Sequence, residues 1–375
     1  MAATGDRLVI DREGLGWLFA ELSADGRTLV GPTVRDGAIV LGEIAGVGDL
    51  PEGWTERQDA GRYRLERRGD RALFGYVVGP HSFKPWFFPP RDTLFRAERG
   101  EGGFEAVSGG RDGAAAPKLA LVAARSCDLR ALAIQDRVFT GGPYVDESWA
   151  RRRSDVFIVA VNCGEAGGTC FCVSMGTGPR ASGGFDLALT ELLDGEHRFL
   201  LEIGSEAGAR LAERLPARAA ASADVAAAQH ATANAVAGMG RRMETAGIKE
   251  LLYTNLEHPR WDHVAERCLA CANCTMVCPT CFCSSVEDVT DLDGAAAERV
   301  RRWDSCFTAE HSYVHGGSVH TSTRSRYRQW LTHKLASWQD QFGTSGCVGC
   351  GRCITWCPPG IDLTEEVAAI RGVGG

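Results

Sequence analysis

Short apolar runs separated by glycine and aspartate turns dominate the first hundred residues, as in LVGPTVRDGAIVLGEI and RRGDRALFGYVVGP. Short apolar segments that are bounded by turn residues are typical of β-strands. The pattern therefore predicts a β-rich amino-terminal region.

The pattern then changes to alternating strands and helices. The apolar run at 118–124 predicts a buried strand, residues 128–139 carry apolar positions at helical spacing, and residues 156–161 form a second apolar run. A strand, a helix and a strand in this order predict a βαβ unit with parallel strands. Two further apolar segments, 185–193 and 198–203, predict further strands. We interpret residues 1–210 as one β-rich, α/β-type domain.

An alanine-rich segment follows at residues 211–245, and its composition favours helix except at Pro216 and the glycines. We interpret it as a helical connection to a second domain, residues 246–375. That domain contains a helix candidate at 326–338, where Trp330, Leu331 and Leu335 recur at helical spacing. The predicted fold class is α+β, with the α/β-type domain followed by a mostly helical one.

Two cysteine runs of identical spacing lie in this second domain. Each reads C-x-x-C-x-x-C-x-x-x-C-P, the ligand pattern of two-cluster ferredoxins, in which the fourth cysteine of each run binds the other cluster. The long segment between the runs favours an α-helical, ferredoxin-like two-cluster domain over the small β-containing ferredoxin fold. We predict two 4Fe–4S clusters and two crossed ligand sets, Cys268, Cys271, Cys274 and Cys357 in one, and Cys347, Cys350, Cys353 and Cys278 in the other.

Structural zinc is the alternative, because C-x-x-C pairs also form tetrahedral thiolate sites. A zinc ion needs only four ligands, and neither the third C-x-x step nor the C-P ending serves it, so the pattern favours iron and sulfide. We also expect backbone N–H groups near Gly349, Gly351 and Asn273 to donate hydrogen bonds to sulfur.

Four more cysteines, Cys127, Cys163, Cys170 and Cys172, lie in the amino-terminal half. Cys127 follows the first strand of the predicted βαβ unit and Cys163 follows the second. Both therefore belong at the carboxyl ends of neighbouring parallel strands, where α/β sheets bind ligands. The glycine-rich segment from 163 to 172 lets the backbone fold closely around a bulky group. A third iron–sulfur cluster is one interpretation, and four ordinary buried thiols are the other.

Three cysteines remain outside these sets. They are Cys281, Cys283 and Cys306. Redox activity, metal ligation and simple packing near a cluster are all open to them, and we favour packing because eight ligands for two clusters are already present.

Composition and missing motifs restrict the function further. A net charge of −7 argues against a general nucleic-acid binder. Neither G-x-G-x-x-G nor G-x-x-x-x-G-K-[ST] occurs, so no nucleotide site is expected on this chain. The fifteen cysteines cluster instead of forming dispersed pairs, and no leader or long apolar run is visible. We therefore expect reduced, metal-binding thiols in a cytoplasmic protein that is not bound to a membrane.

Four motifs, at 125–132, 170–179, 268–283 and 346–358, together resemble the beta subunit of cytoplasmic nickel–iron hydrogenases, the sulfhydrogenases. The A subunit of anaerobic sulfite reductase is similar. The resemblance extends from about residue 74 to residue 362. One departure is Ala272, where relatives often have glycine; alanine strains the local backbone slightly but leaves every ligand in place.

The resemblance implies an electron-transfer subunit that carries single electrons between the hydrogenase small subunit and a flavin-binding NAD(P) reductase subunit. Its implied partners are the small and large hydrogenase subunits and that reductase subunit. This chain would then hold neither nickel nor nicotinamide, and no catalytic residue. Because the partner subunits carry the chemistry, an anaerobic sulfite or sulfur reductase complex is an alternative. A flavin-dependent iron–sulfur reductase and a scaffold with structural metal are two others.

Overall fold

The structure, a computed structural model, describes residues 3–107 and 117–372. The ends of the two predicted domains, residues 1–2 and 373–375, and the segment 108–116 lie outside these ranges. The strands are β1 (Arg7–Asp11), β2 (Thr28–Arg35), β3 (Ala38–Glu43), β4 (Trp54–Asp59), β5 (Arg62–Arg67), β6 (Arg91–Gly100), β7 (Gly103–Val107), β8 (Leu119–Ala124), β9 (Val156–Val161), β10 (Leu187–Leu192), β11 (Arg198–Ile203), β12 (Arg218–Ala219), β13 (Ser284–Thr290), β14 (Ala296–Trp303), β15 (Tyr313–Val314) and β16 (Gly317–Ser318).

Helices alternate with the strands in the first half and predominate after residue 222. A 3₁₀ turn covers Val47–Asp49, and a π-helical segment covers His333–Ser337. The α-helices are α1 (Arg12–Ala24), α2 (Lys84–Phe87), α3 (Ser126–Thr140), α4 (Glu147–Arg153), α5 (Glu206–Ala212), α6 (Ser222–Ala237), α7 (Ile248–Thr254), α8 (Arg260–Arg267), α9 (Asn273–Met276), α10 (Thr323–Thr332), α11 (Trp338–Phe342), α12 (Arg352–Thr355) and α13 (Leu363–Arg371).

Eight strands form one mixed sheet in the order β12-β1-β11-β10-β9-β8-β2-β3. Its centre is parallel, because β2 pairs with β8, β8 with β9, and β9 with β10 in the same direction. The outer pairs are antiparallel. The predicted βαβ unit is confirmed as β8-α3-β9, and the two further predicted strands are β10 and β11. Central parallel strands are buried on both faces, which is why they read as continuous apolar runs.

Helices cover both faces of this sheet. Leu18 and Leu22 of α1 pack on one face, whereas Leu129 and Leu132 of α3 pack on the other. The amino-terminal pattern did not reveal α1, which follows β1 directly. Asp11 caps α1 by accepting a hydrogen bond from the Gly14 N–H at 2.8 Å.

The alanine-rich segment is helical over α6. This helix packs against the sheet through Ala228, which contacts Val9 and Leu200, and β12 pairs with β1. The segment therefore forms part of the amino-terminal layer at this point. The domain boundaries at 210 and 245 stay a prediction.

The carboxy-terminal helices pack around one apolar core that includes Trp261, Leu331 and Leu335. The segment between the cysteine runs differs from the expected helical domain, because it also forms β13 and β14. These strands pair with β6 from the first half of the chain, in a four-stranded sheet of order β13-β14-β6-β7. Sequence patterns do not reveal pairing between strands so distant along the chain. The α+β class with a sheet-rich first part is confirmed.

In the described ranges we find no helix with both the length and the apolar character needed to cross a membrane.

Candidate iron–sulfur centres

The two cysteine runs have the same backbone conformation. Ala270 and Ala272 in the first run have φ angles of 49° and 66°, and Gly349 and Gly351 in the second have 65° and 74°. Each run thus makes two left-handed turns, after which a short helix, α9 or α12, begins. In the first run, the three cysteines around these left-handed residues, Cys268, Cys271 and Cys274, line one cavity. The strain expected at Ala272 is present.

The first predicted ligand set lines one cavity. We call this set, Cys268, Cys271, Cys274 and Cys357, site 1. The rest of the lining is mostly apolar and includes Phe307, Tyr327 and Trp330. Cys271 is exposed, as is the neighbouring Leu269 at 66% of its surface. Cys357 of the second run thus lies with the three cysteines of the first run, and site 1 lies at the protein surface. The crossed ligand set stays a prediction.

The second predicted set is more deeply buried. We call this set, Cys347, Cys350, Cys353 and Cys278, site 2. Burial is the main reason that the pKa of Cys353 lies well above its usual value, and the charges of Cys347 and Cys350 raise that pKa further. Cys278 acts on Cys353 in the same way. The structure thus brings the four thiols together, again with one cysteine from the other run.

Backbone amides donate to the cysteine sulfurs in both sets. The N–H of Ala270 lies 3.4 Å from the sulfur of Cys268, and the N–H of Gly349 lies 3.4 Å from that of Cys347. The expected donor at Gly349 is confirmed. Hydrogen bonds of this kind stabilise thiolate ligands and orient them.

The arrangement of the thiols fits a group larger than one ion. Tetrahedral zinc with Zn–S distances of about 2.3 Å needs its sulfurs within about 4 Å of one another. Throughout residues 3–107 and 117–372, no three His, Cys, Asp or Glu side chains converge closely enough to bind a single metal ion. Burial also raises the pKa of Cys347 to about 12. A thiol with so high a pKa ionises only when a cationic group binds it, so these buried cysteines suit the ligands of a bound metal group.

The amino-terminal cysteines also come together. We call Cys127, Cys163, Cys170 and Cys172 site 3, and all four line one cavity. Cys127 and Cys163 follow β8 and β9, which are parallel neighbours, as the pattern predicted. Burial raises the pKa of the Cys172 thiol to about 12. The guanidinium of Arg125 lies 3.9 Å from the sulfur of Cys163.

Site 3 lies directly against site 2. Cys350 of site 2 lines the cavity of site 3. The N–H of Phe171 donates to the carbonyl of Gly349 at 2.8 Å, and the hydroxyl of Thr177 donates to the carbonyl of Val348 at 2.6 Å. Similarly, Cys353 of site 2 lines the cavity of site 1. The three cysteine sets therefore form a continuous row, with site 2 in the middle.

The three remaining cysteines lie near sites 1 and 2: Cys281 lies beside Cys278 of site 2, and Cys306 lies between Cys283 and Cys274 of site 1. Cys281 is in contact with Cys278, and its sulfur lies 3.6 Å from the Lys334 amine. A hydrogen bond from the Cys306 thiol lowers the pKa of Cys283 to about 6. The expectation that these thiols pack near a ligand set agrees with these positions.

Sequence reasoning missed the buried charges around the sites. Lys334 contacts Cys278, and Arg352 forms a buried ion pair with Asp128 at 2.8 Å. Arg352 lies within the second cysteine run and Asp128 follows Cys127, so their proximity to cysteines was a signal for both. Lys334 carried no such signal, because it lies outside both runs and is 56 residues from Cys278 in sequence.

Comparison with known proteins agrees with this geometry. A family model described as a 4Fe-4S dicluster domain matches residues 267–361, which contain all eight cysteines of sites 1 and 2. The chain is thus an iron–sulfur protein of the dicluster class. It is 33% identical over 291 residues to sulfhydrogenase 2 subunit beta of Pyrococcus furiosus, an alignment that covers 77% of this chain and 82% of that protein. The chain belongs to the sulfhydrogenase beta-subunit family. No solved structure matches it.

Proposed function

We propose that this chain is the electron-transfer subunit of a cytoplasmic sulfhydrogenase-type complex. In that complex it carries single electrons between a nickel–iron hydrogenase and a flavin- and NAD(P)-binding subunit. The proposal agrees with the family and with the subunit name of the similar protein. It also agrees with fifteen cysteines that form no disulfide with one another.

The observation that carries the proposal is the row of three cysteine sets. A residue of site 2 lines each neighbouring cavity, Cys353 for site 1 and Cys350 for site 3. Two 4Fe–4S clusters at sites 1 and 2 would supply one-electron couples when bound. The thiolates hold these groups, and the buried side chains around site 2 exclude water from it. Such a row of sites suits electron transfer from one site to the next better than catalysis at a single site.

We further propose that site 3 binds a third cluster. Cys127 and Cys163 follow neighbouring strands, Cys170 and Cys172 lie in the loop before β10, and all four thiols surround one cavity beside a fully buried arginine. Burying Arg125 at 2% exposure requires nearby acceptors or negative charge, and Cys163 and its neighbours would provide such charge as thiolate ligands of a bound cluster. The carbonyls of Phe74 and Tyr76 accept its other hydrogen bonds, at 3.0 and 2.7 Å.

Site 1 is the contact point that we propose for one partner. Cys271 and Leu269 are exposed there, so a second protein could approach the bound group closely. Site 3 would then lie toward the other partner. We propose no nickel, flavin or nucleotide on this chain and no contact with nucleic acid.

Metal analysis tests the ligand assignment. We expect about eight irons per anaerobically purified chain for sites 1 and 2, and about twelve if site 3 is also occupied. Cys163→Ser should remove iron from site 3 only, and Cys274→Ser from site 1 only. Cys283→Ser is the matched control, because this cysteine lies outside all three sets. Iron loss in the control, or none in Cys274→Ser, would contradict the assignment.

Reconstitution tests the function. With hydrogenase and reductase subunits added, the chain should support hydrogen-dependent reduction of NAD(P), and Cys274→Ser should slow it while dye reduction by the hydrogenase continues. If Cys274→Ser still supported hydrogen-dependent reduction of NAD(P) at the full rate, the proposal would be refuted. Coupling to sulfite instead of NAD(P) would favour the sulfite reductase alternative. Stoichiometric flavin released from the denatured chain would favour a flavin-dependent reductase.

A further inference from the structure

Lys334 is a lysine that the fold buries almost completely. Only 3% of its surface is exposed. Lysine is rarely buried unless its charge is paired. It lies in the π-helical segment His333–Ser337, and π-turns inside helices are frequent at functional sites.

The amine of Lys334 is surrounded by hydrogen-bond acceptors of the site 2 region. Its nitrogen lies 3.2 Å from the sulfur of Cys278 and 3.6 Å from that of Cys281. The hydroxyl of Thr280 and the carbonyl of Gly346 each lie 3.4 Å away. An ammonium has three donors and no acceptor. These neighbours therefore suit a charged lysine that donates to the ligand Cys278.

The backbone holds Lys334 in this position. Its carbonyl accepts the N–H of Gly346 at 2.8 Å, directly before Cys347. A Cβ on Gly346 would lie only 2.5 Å from the ring of Trp338 and 3.1 Å from the Lys334 carbonyl. Both ends of Lys334 are therefore tied to the loop that carries site 2.

Site 1 has no comparable charge. Of the described residues that line its cavity, none is a lysine, arginine, aspartate or glutamate. The thiols of Cys268 and Cys357 receive hydrogen bonds from the neutral amides of Ala270 and Ile361, both at 3.4 Å. The two ligand sets thus have the same spacing and different electrostatic surroundings.

We infer that Lys334 raises the reduction potential of the group bound at site 2 above that of the group bound at site 1. Reduction adds negative charge, and a buried ammonium stabilises that charge more strongly than a neutral amide does. Net charge and hydrogen bonds to sulfur are known determinants of cluster potential. The inference rests on the proposed function, since it assumes a redox-active group at each site. Electrons that enter at exposed site 1 would then move inward.

A redox titration of the full chain, monitored by electron paramagnetic resonance, tests this inference. Lys334→Met keeps the length of the side chain and removes its charge. We expect one signal to become at least tenfold harder to reduce, which is 59 mV for a one-electron couple, and the other signals to stay unchanged. Lys249→Met is the control for loss of a positive charge, because Lys249 pairs with Asp340 at the surface.

Cys271→Ser identifies the site 1 signal, which should disappear or shift. The signal that Lys334→Met moves must be a different one, and in the unmodified protein it must have the more positive potential. No shift, an upward shift, or movement of the site 1 signal would overturn the inference. If Lys334→Met fails to retain iron at site 2, Lys334→Gln, which removes the charge and keeps a hydrogen-bond donor, replaces it in the same titration and is judged by the same outcomes. Absence of iron or of redox signals in the unmodified chain would instead overturn the proposed function.

Discussion

The N–H of Phe171 donates a 2.8 Å hydrogen bond to the carbonyl of Gly349, and this bond joins the amino-terminal cysteine loop to the second cysteine run. The two segments approach so closely that a Cβ on Gly349 would lie 2.7 Å from the Cα of Cys172. Ala270 occupies the equivalent position of the first run with a similar φ. Glycine is therefore required in the second run by both conformation and contact, whereas the first run tolerates alanine.

The first prediction follows from this contrast. Gly349→Ala should reduce the free energy of unfolding by more than about 2 kcal/mol, because it adds left-handed strain and a backbone clash. Ala270→Gly, the matched change in the first run, should alter the free energy of unfolding by no more than about 1 kcal/mol. Glycine relieves the left-handed strain, but it also raises the entropy of the unfolded chain, and these two effects oppose each other. Urea unfolding of the iron-loaded chains measures both. Equal effects of the two substitutions would contradict this interpretation.

The ion pair between Asp128 and Arg352 gives a second prediction. Their side chains are only 5% and 2% exposed, so Asp128→Asn leaves a buried guanidinium without its counterion. We expect a loss of about 3–5 kcal/mol in unfolding free energy. Asp155→Asn is the comparison, because the Asp155 side chain pairs with Arg27 and is 52% exposed. This substitution should lower the unfolding free energy by at most about 1 kcal/mol. A loss below 1 kcal/mol for Asp128→Asn would show that the buried pair is dispensable.

Glu56 predicts a dependence of stability on pH. Burial raises the pKa of Glu56 from 4.5 to about 7, although its carboxylate accepts the Val77 N–H at 2.6 Å. Between these two values the folded chain retains a proton that the unfolded chain has released, so stability contributed by this group falls as the pH rises. The loss should approach about 3 kcal/mol above pH 7. Glu56→Gln does not titrate, and chemical unfolding at pH 5 and pH 8 should show a smaller difference in this variant.

Iron removal should affect the two halves of the chain differently. Cys268, Cys353 and Cys357 pack against the carboxy-terminal apolar core, so removal of the bound groups takes away the metal–ligand bonds that stabilise it. Hydrogen exchange on the iron-free chain should show lost protection in α9 and α12. The paired strands β1 and β11, none of whose residues lines the cavity of site 1 or site 3, should retain their protection. Uniform loss across all four elements would contradict a local effect.

Local signals were strong enough to predict a large part of the fold and of the site. The apolar runs of β8 and β9 are buried on both faces, and the cysteine spacing within each run depends on only a few residues of backbone. The crossed sets at sites 1 and 2 stay predictions, but their cysteines lie together as expected. The helix at 326–338 was also visible, although the π-helical segment His333–Ser337 within it was not.

The sequence by itself determined which residues could bind iron, because thiol ligands and their short-range spacing are written along the chain. Only the tertiary structure decided that site 3 meets site 2 and that Lys334 approaches Cys278. It also decided that β14 pairs with β6. These relationships join residues that are far apart in sequence. They depend on how whole layers pack together, and a local pattern of hydrophobic and polar positions does not contain that information.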